Sequence, residues 1–182
     1  ERSYPDSLYD AEITYLDHYV GEIVDLLESR GEYDQTVIVF TADHGEGLGQ
    51  HQEMYHDQFI YDSTLRIPYI LGGGAILDKW PSLVYEPVRS VDILPTLLHF
   101  AGAEPRDDVE GESLIPLMKG GDWNKPHYVE SHSPKHNLCV KLHGIRYDGW
   151  KYIEAPTPEL YRVDEDPGET MNLADRNPTK AR

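Results

Sequence analysis

Residues 36–45 read Thr36-Val37-Ile38-Val39-Phe40-Thr41-Ala42-Asp43-His44-Gly45. The first six are β-branched or aromatic and lack polar alternation, the pattern of a strand buried on both faces, as in a parallel sheet. Upstream, Ile13, Leu16, Val20, Ile23, Val24 and Leu27 recur at steps of three and four, which is one face of a helix. Ser7 and Asp10 have capping-box spacing for its start, and Gly31 suits a left-handed C-cap. Helix followed by buried strand is half of an α/β unit.

Working outward, residues 42–63 form a polar loop. Residues 65–71 read as a second buried strand, with Pro68 arguing for an edge or a bulge and Gly72-Gly73-Gly74 ending it. Ser90 is expected to cap a helix carrying Ile93, Leu94, Leu97, Leu98 and Ala101 that stops at Gly102, with Pro95 in its first turns. After Gly121 the texture changes. Short apolar stretches around Tyr128-Val129, residues 138–142, Tyr152-Ile153 and residues 160–163 are separated by turns such as Asp148-Gly149 and Asp166-Pro167-Gly168. A small antiparallel sheet is expected there, with a division into residues 1–121 and 122–182.

The 182 residues carry 16 Lys and Arg against 33 Asp and Glu, a net charge of −17. Such a chain repels phosphate backbones, so no nucleic-acid partner is expected. The single cysteine, Cys139, excludes an internal disulfide framework and any Cys-rich zinc module. No apolar run approaches the ~20 residues of a membrane helix. The chain opens on Glu1 rather than Met and is read as part of a longer polypeptide, which leaves its compartment open.

The chemistry concentrates in Asp43-His44-Gly45-Glu46-Gly47-Leu48-Gly49-Gln50-His51. Ligands of open α/β sheets bind beyond the carboxyl ends of strands. Asp43 and His44, placed at such an end, are competent metal ligands, and Gly45 lets the chain turn so that both face one point. Two ligands do not fill a coordination sphere, so others must come from elsewhere. The plainer alternative is that Asp43 caps a turn and His44 is a loop residue. His51 and His56 lie five apart, which excludes the zincin pattern of His at i and i+4. Each is either an exposed loop histidine or a hydrogen-bond donor to an oxygen that gains charge during reaction. Gly45, Gly47 and Gly49 fit neither the dinucleotide fingerprint nor a P-loop, and read as flexibility and close backbone approach.

Residues 33–45, continued by Gly49-Gln50-His51, His56 and Leu65-Arg66-Ile67-Pro68, resemble the sulfatase signature of the alkaline-phosphatase-like superfamily. Ser90-Val91-Asp92-Ile93-Leu94-Pro95-Thr96, Gly111-Glu112-Ser113-Leu114, Gly149-Trp150-Lys151-Tyr152-Ile153, Glu159-Leu160-Tyr161 and Asp166-Pro167-Gly168-Glu169 resemble later family blocks, so the likeness runs from about Tyr9 to Ala174. It implies the C-terminal half of an α/β sandwich with a mainly parallel sheet and a small antiparallel C-terminal subdomain. Asp43 and His44 then match metal ligands, for Ca²⁺ in most sulfatases and for a transition metal such as Mn²⁺ or Zn²⁺ in some relatives. His56 matches the basic residue that contacts the sulfate or the leaving oxygen, and His51 a recurrent family histidine. Both are catalytic candidates. Asp92, Arg66 and the 166–168 turn match structural positions, respectively a cap, a buried ion pair and a turn.

The implied activity is hydrolysis of a small-molecule or carbohydrate sulfate ester. The rivals are phosphodiester or phosphonate monoester hydrolysis on the same scaffold, and a module without catalysis. Two departures stand out. The C/S-x-P-x-R motif that yields the formylglycine nucleophile is absent; neither Cys139 nor Ser133-Pro134-Lys135 supplies it. His44 stands where many sulfatases have Asn, and imidazole suits softer metals better than Ca²⁺.

Overall fold

The computed structural model describes residues 4–56, 58–74, 80, 83–104, 107–132 and 141–181. Cys139, the Ser133-Pro134-Lys135 stretch and the start of the expected apolar segment 138–142 lie outside them.

Helix α1 spans Tyr4–Ser29. It begins ahead of the expected Ser7 cap, because Pro5 in the first turn has its φ pre-set for a helix and needs no N–H there. At the other end Gly31 takes φ +66°. The N–H of Gly31 donates to Glu28 O at 2.9 Å and that of Glu32 to Leu27 O at 2.9 Å. This is the Schellman pattern, which satisfies two carbonyls of the last turn. Among the described residues the apolar stripe read from the sequence is only partly covered: Leu16 and Ile23 are 48% and 58% exposed, and Val20, Val24 and Leu27 are half-buried.

Strands β1 (Ile38–Thr41) and β2 (Tyr69–Gly72) pair with each other in register Ile38↔Gly72 through Thr41↔Tyr69. The pairing is antiparallel, whereas residues 36–41 were expected to have the character of a parallel-sheet strand. Within this chain all four β1 residues are only half-buried. An apolar run shows that a strand is destined for burial on both faces, but not the direction of its neighbour. The second strand is also shorter than expected. Residues Asp62–Leu65 form a helical turn, and β2 starts after Pro68, whose missing N–H cannot join a ladder. α1, β1 and β2 belong to one compact unit, residues 1–42 and 68–82.

The second unit comprises residues 43–67 and 83–182. Its helix Ile93–Phe100 is preceded by the 3₁₀ turn Ser90–Asp92. The expected Ser90 cap is replaced by a pairing of Arg89 with Asp92. The fully buried Asp92 carboxylate accepts the Arg89 backbone N–H at 3.0 Å, its guanidinium at 2.8 and 3.1 Å, and the Glu112 N–H at 2.9 Å. Asp92 thus has the structural role expected of it.

Strands β3 (His127–Ser131), β4 (Leu142–Tyr147), β5 (Trp150–Glu154) and β6 (Glu159–Arg162) form an antiparallel meander in that order, as the turn spacing predicted. Asp148 (φ +51°) and Gly149 (φ +73°) make the β4–β5 turn, the two left-handed residues that a tight hairpin requires. Ile153, Tyr161 and Val163 of this region pack with Ile60, which is 2% exposed and lies four residues after His56. The end of the loop that carries His56 is therefore built into the core of the sheet. Among the described residues no helix is long and apolar enough to cross a membrane.

Candidate active site

Residues 43–64 fold back on themselves through their alternate glycines. The N–H of Gly45 donates to Thr64 O at 2.7 Å, that of Gly47 to Tyr55 O at 2.7 Å and that of Gly49 to Glu53 O at 2.8 Å. A Cβ at Gly45 would collide with Ser63 O, and one at Gly47 with Glu53 O and, at 2.7 Å, Tyr55 O. The glycines are therefore needed for close approach, and only Gly49, at φ +90°, also needs left-handed backbone. Because Gly47 is bonded opposite Tyr55, Glu46 is brought against His56.

The result is a small polar cluster. Asp43 Oδ1 accepts the His44 backbone N–H at 3.0 Å. His44 Nδ1 lies 3.0 Å from Gly45 O. A carbonyl only accepts, so Nδ1 carries a proton in this bond, and Nε2 is the ring nitrogen left for another partner. That Nε2 is 3.6 Å from Asp43 Oδ2. Two donors each ~2.4 Å from one ion at near right angles stand about 3.4 Å apart, so this pair can chelate a divalent cation. Among the described residues no group of three or more His, Cys, Asp or Glu is arranged to hold a metal.

The His56 ring stacks on His44 with centroids 3.9 Å apart and planes at 19°. Its Nδ1 bonds Glu46 Oε2 at 3.1 Å, which leaves Nε2 for other partners. The fold of the loop around His56 is held by Glu53. This carboxylate is 5% exposed and accepts the N–H of Gln58 at 2.6 Å and of Phe59 at 3.4 Å.

The structure thus brings Asp43, His44 and His56 together. The contacts it gives the ring of His51 lie elsewhere. That ring stacks on Tyr61 with centroids 3.7 Å apart, and its Nε2–H donates to Gly168 O at 2.9 Å. Tyr61 and Tyr161 both donate to Glu159 Oε2, at 2.8 and 2.6 Å. Burial, with Glu159 nearby, pushes both hydroxyls above the ordinary tyrosine range. Arg66, expected in a buried ion pair, is exposed. The buried pairing falls instead on Lys151, whose Nζ lies 2.6 Å from Glu169 Oε1 and 3.0 Å from Asp62 Oδ1, with Arg146 Nη1 2.9 Å from Asp62 Oδ2. Sequence reasoning missed Glu46, Glu53 and Lys151. Only Glu46 had a signal, since it stands between two glycines in the segment that carries Asp43 and His44.

The sequence model of the sulfatase family matches residues 3–103, more than half of the chain, and the chain belongs to the sulfatase family. It is 35% identical over 177 residues to a choline-sulfatase of Rhizobium meliloti (strain 1021), covering 92% of this chain and 32% of that protein. It is 32% identical over 181 residues to an N-acetylglucosamine-6-O-sulfatase of Bacteroides thetaiotaomicron, covering 91% and 31%. Among solved structures it resembles BT4656 in complex with its substrate D-glucosamine-2-N,6-O-disulfate, with a TM-score of 0.78, 30% identity, and coverage of 92% of this chain and 36% of the other. It also resembles a phosphonate monoester hydrolase from Silicibacter pomeroyi, with a TM-score of 0.74, 26% identity, and coverage of 91% and 36%. The chain spans about a third of the length of these curated relatives.

Proposed function

We propose that this chain contributes part of the active site of a metal-dependent sulfuric ester hydrolase that acts on a small-molecule or carbohydrate sulfate ester. The observation that carries this reading is the convergence of Asp43, His44 and His56 in a chain of the sulfatase family. Asp43 and His44 would hold a divalent cation, with further ligands from beyond this chain. The bound ion supplies charge stabilisation for the oxygens of the ester. His44 favours a transition metal more than Asn would, though Ca²⁺ remains the family's commonest choice. His56, oriented by Glu46, turns Nε2 towards a sulfate or leaving oxygen and donates a hydrogen bond as charge builds there.

The nucleophile, a formylglycine in this reading, comes from outside these residues. The rest of an alkaline-phosphatase-like sandwich, with its mainly parallel sheet, covers the exposed stripe of α1 and completes the core to which residues 1–121 belong. Residues 122–182, with the meander β3–β6, form the subdomain behind the loop. Choline-sulfatase and the disulfated glucosamine complex among the relatives support a sulfate ester as substrate.

The test is paired turnover of nitrophenyl sulfate and nitrophenyl phosphate by the complete polypeptide, native and His56→Ala. Dominant sulfate turnover that falls at least about a hundredfold in the variant is expected, in the range of one lost stabilising donor. Dominant phosphate or phosphonate turnover, or an unaffected variant, would overturn the assignment.

A further inference from the structure

His56 sits between two points at which its loop is fastened to the C-terminal turn 166–169. On one flank, His51 Nε2–H donates to Gly168 O at 2.9 Å. On the other, the Glu169 carboxylate accepts the Asp62 backbone N–H at 2.5 Å. Glu169 is 2% exposed, and its other oxygen faces Lys151 Nζ at 2.6 Å, which also pairs with Asp62. Tyr61, next to Asp62, carries the His51 ring on its own ring. Both fastening residues have left-handed backbone without being glycine, His51 at φ +50° and Glu169 at φ +52°. Such conformations persist only where the surroundings over-determine them, and they concentrate at functional sites. The turn itself is braced by Asp166, whose carboxylate accepts the N–H groups of Thr170 and Met171, both at 2.8 Å.

We propose that turn 166–169 is a clamp that positions His56, with His51 and Glu169 as positioning residues that touch no substrate. The inference rests on the catalytic reading of His56 given above and extends it to the C-terminal segment. Neither contact aims a side chain at the Asp43–His44 pair. Their joint effect is to fix both ends of a loop whose middle carries His56 and is bonded internally through Glu53. A shift of ~1 Å in a group serving the transition state is enough to cost rate.

The experiment uses the complete polypeptide with His51→Phe, which keeps a ring over Tyr61 and removes the donor. His51→Gln restores a donor, and Glu169→Gln weakens the other flank. Amide hydrogen exchange at Gln58 and Phe59 is read alongside kcat and KM for a nitrophenyl sulfate. For His51→Phe, about tenfold faster exchange at those amides is expected, with kcat down about tenfold, KM within about twofold, and exchange across β4–β5 unchanged. His51→Gln is expected to return both readouts towards the native values.

If Glu169→Gln fails to fold, His51→Phe decides alone, since its position is only half-buried. Native exchange in His51→Phe would overturn the clamp. Faster exchange with native kcat, in an enzyme that His56→Ala disables, would overturn it equally. A native kcat in His56→Ala would instead overturn the catalytic reading on which the clamp rests.

Discussion

Replacing Lys151 by Met removes a cation that two carboxylates, Asp62 and Glu169, share in the second unit's interior. The Lys151 side chain is 1% exposed, with Nζ 2.6 Å from Glu169 Oε1 and 3.0 Å from Asp62 Oδ1. Met matches the length of the aliphatic stem, so little packing changes. The cost is electrostatic. Asp62 keeps Arg146 at 2.9 Å, but among the described residues Glu169, 2% exposed, keeps the Asp62 N–H alone. Burial already holds the Glu169 carboxyl above the usual glutamate range despite the opposing ammonium. Breaking a buried pair from one side costs about 3–5 kcal/mol. That is about a fifth or more of the roughly 5–15 kcal/mol that keeps a domain folded.

The assay is urea unfolding of the complete polypeptide followed by Trp fluorescence. Trp150 lies beside Lys151 in β5, with Arg162 Cζ and Lys180 Nζ 5.3 and 4.4 Å from its ring centroid. Glu169→Gln and the double variant complete a cycle. The double variant should be less destabilised than the sum of the singles, with a coupling of about 0.5–3 kcal/mol. A loss below about 1 kcal/mol in Lys151→Met, with the sheet intact, would show that the buried pair is not what holds Asp62 and Glu169 together.

Two further outcomes follow from the loop and its brace. Gly47→Ala should destabilise the loop by about 1–3 kcal/mol, because the added methyl meets two backbone carbonyls that cannot retreat independently; faster exchange at Gly49 and reduced sulfate turnover would show it. Asp166 is held below the usual carboxylate range by the N–H groups of Met171 and then Thr170. A depressed folded-state value gives stability that is present above about pH 4 and is lost as pH falls through the folded value. Asp166→Asn should therefore flatten the acid limb of the urea midpoint against pH, and an unchanged limb would exclude Asp166 as its source.

The sequence by itself settled the features that depend on local chemistry. Gly31 announced the end of α1 because few other residues tolerate its backbone, and Asp148-Gly149 announced a hairpin for the same reason. The alternation of short apolar stretches and turns after Gly121 was enough to give an antiparallel meander. Asp43 and His44 were legible only as candidates, since a carboxylate and an imidazole after an apolar strand fit either a metal-ligating pair or a turn cap beside a loop histidine. Tertiary structure alone decided the rest. The direction of β2 against β1 depends on how the chain returns, which an apolar run does not encode. The burial of Lys151 rather than Arg66 depends on which strand passes Asp62, some 90 positions away in the chain. His51 looked equivalent to His56 in a five-residue spacing. The left-handed turn at residues 51–52 sends their rings to different partners, one to the C-terminal turn and one to His44. Long-range charge pairing and loop direction are set by contacts between distant residues, and a linear pattern carries no record of those distances.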